Sequence, residues 1–123
     1  MANIEITLEQ LKVDYDWAQV FADENDGNVS KTVQVAPPGV GVSDAEMTRE
    51  DVQEIIAAVN GENDGNEWLG LFHLKDGRYL VATGGCDYTG WDCRAGNCLI
   101  VCSSMEDILQ FGLSAVQKER LEL

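Results

Sequence analysis

A mixed α+β domain, with a small three-stranded antiparallel sheet packed against about four helices, is predicted by three features of this chain. Apolar residues recur at helical spacing in the first sixty residues, and serine caps mark two helices near the C-terminus. Between these stretches, two apolar runs flank Asp76-Gly77, which is a hairpin signal. A chain of 123 residues with 45% apolar content can bury roughly two-thirds of its unfolded surface, so residues 1–123 are read as one globular domain.

The first helix opens at Thr7, whose pairing with Gln10 three positions later matches a capping box. Leu8, Leu11, Tyr15, Ala18 and Ala22 then recur at spacings of three and four, giving a helix over about 8–23. Trp17 and Phe21 widen its apolar face, and Asp14 and Asp16 are the places where it can break and restart. Residues 24–47 have little pattern: Glu24 to Asn28 is a turn signal, Val33 and Val35 suggest a short strand, and Pro37-Pro38-Gly39 breaks regular structure. This stretch is read as a loop or insertion.

A second helix is expected from the cap at Thr48 to Gly61. Glu50 and Asp51 suit the positive end of its dipole, and Val52, Ile55, Ile56 and Val59 fall on one face. Gly61 stands where a left-handed C-cap would end it, and Glu62 to Asn66 forms another acidic turn. Trp68–Leu74 and Arg78–Thr83 then read as two strands joined by Asp76-Gly77. Both are apolar on both faces, which predicts a central pair covered on each side. Leu99–Cys102 is the third strand. Ser104 caps a short helix through Phe111 that Gly112 ends, and Ser114 with Gln117 opens the last helix.

The most unusual segment joins the second and third strands. It runs from Gly84 to Cys98 and combines four glycines with Asp87, Tyr88, Trp91 and Asp92. Trp68-Leu69-Gly70-Leu71-Phe72, Lys75-Asp76-Gly77-Arg78 and the run from Cys86 through Cys93 together resemble a set of small uncharacterised proteins of bacterial and phage-related genomes. The likeness covers about residues 48–113, with Tyr15-Asp16-Trp17 extending it to the first helix. It implies common descent and brings no activity with it.

Several chemistries compete for this segment. The intervals between Cys86, Cys93, Cys98 and Cys102 are six, four and three residues, whereas structural zinc sites use close pairs. Reduced cysteines acting as small apolar groups are the plainer reading, and a Cys86–Cys93 contact through a metal or a disulfide stays open. A cysteine nucleophile would need His73, the only histidine, which sits in an apolar strand. Asp87 and Asp92 are either an acid-base pair or caps on turns, and Tyr88 and Trp91 are either exposed for partner contact or folded back as a lid. No metal and no cofactor are expected.

Charge narrows the function further. Twenty-two acids against eight lysines and arginines give a formal net charge of -14, which disfavours direct nucleic-acid and membrane binding and favours a basic protein partner. Residues 1–66 carry fourteen of the acids and three bases, whereas 67–123 carry eight and five. The candidate binding residues are therefore Asp87, Tyr88, Trp91 and Asp92 in the unusual segment, with Asp23, Glu24, Asp26, Glu62 and Asp64 in the acidic turns. Met1 to Glu5 lacks the basic start and apolar run of a secretory signal, so a cytoplasmic location is expected.

The expected function is that of a small, acidic, non-enzymatic interaction protein. In its sharpest form it is a phage or mobile-element accessory factor of anti-CRISPR or anti-restriction type that imitates nucleic acid and blocks a host defence protein. Two alternatives stand beside it. One is an enzyme or metal-binding protein using the 86–98 loop, and the other is a structural or assembly protein.

Overall fold

In the computed structural model, which describes residues 2–21, 33–35, 48–62, 66–85 and 96–123, the chain forms a sheet covered by helices on both faces. The first helical region is broken at Asp14. Helix α1 (Leu8–Val13) starts with the Thr7–Gln10 capping box and ends at Asp14 in extended conformation. The Asp14 carboxylate then accepts the Trp17 N–H at 2.9 Å, restarting the chain as α2 (Tyr15–Phe21). The Arg49 guanidinium donates to the carbonyls of Leu11 and Asp14, both at 3.0 Å, so a cation caps the negative end of α1.

The predicted sheet of three strands requires correction. Strands β2 (Val52–Val59), β3 (Trp68–Leu74), β4 (Tyr79–Gly85) and β5 (Gly96–Cys102) form a four-stranded antiparallel meander. The short β1 (Val33–Val35) adds to it in parallel beside β5, giving the order β1-β5-β4-β3-β2. The class remains α+β.

The additional antiparallel strand is β2, where the apolar spacing predicts a helix. The Thr48 cap is present, with the Asp51 carboxylate accepting the Thr48 N–H at 2.8 Å, but it caps a single 3-10 turn over Arg49–Asp51. The chain then extends. Two register shifts against β3 each insert one residue, between Val52 and Glu54 and between Ile55 and Ala57. Val52, Ile55 and Ala58 therefore reach the same core at a spacing of three, while Ala57 and Val59 enter the core on the other face. Two bulges have turned a strand's period of two into something close to a helix's period, and this is why the apolar pattern misleads. Gly61 is not a left-handed cap either, since Gly77 alone among the described glycines has positive φ. A Cβ on Gly61 would lie 2.5 Å from Trp68 Cε3 and 2.6 Å from its amide nitrogen, so the glycine is needed for close approach in the β2–β3 turn.

The hairpin of β3 and β4 matches its signal. Gly77, at φ 93°, donates its N–H to the Leu74 carbonyl at 3.0 Å, and Arg78 forms a 2.6 Å ion pair with Asp76 across the turn. Both faces of the pair are buried. On one face Trp68, Phe72, Leu74, Leu80 and Ala82 pack with Leu11, Trp17, Val20 and Phe21 from α1 and α2. Trp17 meets the Phe72 ring edge-on at a centroid distance of 5.8 Å, and Phe21 lies 5.6 Å from the same ring. Burial of each phenylalanine contributes about 2–3 kcal/mol before entropy is counted. The Trp17 indole donates its N–H to the Asn60 side-chain oxygen at 3.0 Å, which satisfies the one polar atom of that buried ring.

On the other face, Leu69, Leu71, Val81 and Cys102 pack with Ile108, Leu113 and Leu121. Ser104 caps a single helical turn, α3 (Met105–Asp107), which widens into a π turn over Ile108–Gly112. Gly112 sits flat on the sheet, where a Cβ would lie 3.3 Å from Ile108 and 3.6 Å from Cys102 Sγ. Helix α4 (Ala115–Leu121) carries the reciprocal Ser114–Gln117 capping box. The N-terminal segment closes this side: Asn3 donates its N–H to the Leu121 carbonyl, and Ile4 forms a parallel bridge with Ala58 at the outer edge of β2.

Candidate functional site

Gly85 and Gly96 face each other as the last pair of the β4–β5 ladder. The connection 86–95 thus leaves and re-enters the sheet at adjacent positions. Asp87, Tyr88, Trp91 and Asp92 belong to it, together with Cys86 and Cys93, and all lie outside the described residues. So do Asp23, Glu24, Asp26 and Asp64. Of the nine candidate binding residues, Glu62 alone is described. It is exposed, and its N–H donates to the Asn66 carbonyl at 2.8 Å to close the β2–β3 turn.

Beside the paired glycines the sheet and α4 enclose an open groove of about 440 Å³. Asn66 and Glu67 contribute from the entry to β3, Gly85 from the end of β4, and Ser114, Gln117 and Arg120 from the start and one face of α4. Val116, strongly exposed, adds an apolar wall. Ser114 and Gln117 are held in place by their capping box, in which the Gln117 side-chain oxygen accepts the Ser114 N–H at 2.9 Å. Sequence reasoning misses Glu67 and Arg120. They lie 53 positions apart in the chain, and no spacing rule connects a strand entry with a helix face; the only local signal is the capping box.

The described cysteines are free thiols on β5, half-buried at Cys98 and buried at Cys102. Four residues apart on one strand, they point to the same side of the sheet. Burial pushes both thiols above their ordinary value, and the negative charge of Glu67 for Cys98, and of Asp107 for Cys102, acts in the same direction. Both are therefore protonated near neutral pH, a state suited to packing and poor for nucleophilic attack. His73 does not supply a base to Cys102. His73 pairs with Tyr79, and Tyr79 pairs with Cys102, so two strand spacings of ~4.8 Å each separate them. The imidazole instead stacks on the Tyr79 ring at 4.9 Å, with Nδ1 3.9 Å from a Glu54 carboxylate oxygen. Among the described residues no group of three histidine, cysteine, aspartate or glutamate side chains is placed to hold a metal ion.

The acids share one property: none of the fourteen described aspartates and glutamates is buried. The Asp76 carboxyl is held below the ordinary range chiefly by its hydrogen bond with Arg78. No helix among the described residues is long and apolar enough to cross a membrane. No protein-family model, curated protein or solved structure matches the chain.

Proposed function

We propose that this chain is a small, acidic, non-enzymatic interaction protein that engages a basic protein partner in the cytoplasm through its electrostatic field. The observation that carries this reading is the pairing of a net charge of -14 with described carboxylates that all reach solvent. Carboxylates kept at the surface retain their charge at neutral pH and raise the local concentration of a cationic partner, an effect that salt screens over about 8–10 Å. In its sharpest form, the acid-rich segment 1–66 imitates the phosphates of nucleic acid and occupies the basic channel of a defence protein, as an anti-CRISPR or anti-restriction factor does.

Immobilised protein exposed to lysate of its host, at low and at high salt, tests the reading. A partner captured at low salt, released at high salt and displaced by added duplex DNA is the expected result. A partner held equally at both salt concentrations and indifferent to DNA overturns it.

A further inference from the structure

The groove between α4 and the sheet contains two opposite charges that do not meet. Arg120 and Glu67 both line it and both are half-buried, yet no ion pair joins them. The other described arginines have local partners: Arg78 is bonded to Asp76, and Arg49 to the carbonyls of Leu11 and Asp14. The guanidinium of Arg120 makes no such contact among the described residues; only its backbone carbonyl is engaged, by the Asn3 side chain at 3.5 Å. Two charges partly withdrawn from water without mutual contact bear some desolvation cost and recover little Coulombic energy.

A ligand carrying both charges relieves that cost at each end. A guanidinium presents a planar fork of donors that a carboxylate matches with two parallel hydrogen bonds, and a glutamate carboxylate accepts from an ammonium. Asn66 and the side-chain amide N–H groups of Gln117 offer polar contacts between them, and Val116 offers an apolar one. The overall field narrows the choice. At a net charge of -14 the protein repels phosphate and other simple anions, whereas a dipolar molecule of zero net charge meets no such barrier. The volume also lies in the ~300–1,000 Å³ range of small-molecule sites.

We propose that this groove binds a small zwitterion, a free amino acid or a short peptide with both ends unblocked, with the carboxylate on Arg120 and the ammonium on Glu67. NMR titration of the isotopically labelled full chain with alanine and with trialanine tests this. Saturable shifts are expected at residues 66–67, 85 and 114–120, and the tighter of the two probes identifies which source the groove suits. On the unsubstituted protein, N-acetylated or C-amidated trialanine should bind roughly tenfold more weakly than trialanine, the loss of about one charge-assisted contact. Arg120→Gln should remove the preference for the free carboxylate, and Glu67→Gln the preference for the free amine. The proposal is overturned if neither alanine nor trialanine saturates, if blocked and unblocked peptides bind alike, or if inorganic phosphate shifts the same residues as strongly.

Discussion

The ring of Phe72 lies across Gly70, two residues back on the same face of β3, so that any side chain at position 70 would enter the space the ring occupies and come within 3.1 Å of Trp17 Cη2. The glycine is therefore part of the core, its missing side chain replaced by an aromatic neighbour. Gly70→Ala should cost about 1–3 kcal/mol through overpacking. A urea-denaturation midpoint equal to that of the parent protein would show that the ring is free to move aside.

Strand β2 makes a second prediction. Ala57 and Ala58 are consecutive and both fully buried, one in each of the two cores. In a surface helix only one of them would be inside. Ala57→Leu and Ala58→Leu should therefore both destabilise the protein by about 1–3 kcal/mol, while exposed Gln53→Ala should stay within about 0.5 kcal/mol. Denaturation of the three variants separates the two geometries: a neutral effect at either alanine contradicts the strand.

The same segment shows what the residue pattern reveals and what it conceals. Local chemistry is legible: Thr7, Ser104 and Ser114 cap as their side chains suggest, and Asp76-Gly77 turns the central hairpin. Burial of β3 and β4 on both faces is also legible, because neither run alternates apolar with polar residues. Thr48 is a cap, as its side chain suggests, but it does not start a long helix, since a cap fixes one turn while the register with β3 determines the path of the chain beyond it. The β-branched run Val52, Ile55, Ile56 and Val59 is the available counter-signal. Of the site, the sequence draws attention to residues chemically conspicuous along the chain. The groove, by contrast, joins Glu67 to Arg120 through folding alone.

The Asp76–Arg78 pair gives the hairpin turn a pH dependence of definite sign. The Asp76 carboxyl is held below its ordinary value of 3.8 by the Arg78 hydrogen bond, so the folded state binds this proton less readily than the unfolded chain. Its contribution is fully present above about pH 4 and is lost as the pH falls through the lowered folded-state value. Arg78→Gln should flatten the acid limb of stability below about pH 4, and equal slopes in the variant and the parent would refute the assignment. Because Asp76 is exposed, the effect should be small and should shrink further with salt.

For the thiols the sign reverses. Cys98 and Cys102 have folded-state values raised above 9.0, so the unfolded chain loses these protons first and stability should decline as the pH climbs past 9. At neutral pH both should be alkylated by iodoacetamide more slowly than cysteines of the urea-unfolded chain, and buried Cys102 more slowly than half-buried Cys98. Site-resolved mass spectrometry reads both rates, and rapid labelling of Cys102 in the native protein would contradict its placement.

The two inserted residues of β2 also affect how this molecule treats its own copies. A partner strand with a regular pleat could not stay in step beside an edge displaced twice within eight residues, and just past the second displacement, at Ala58, the backbone is already matched by Ile4. That margin is a poor template for fibrous growth, so the irregularity that disguises the strand also protects it from self-templating.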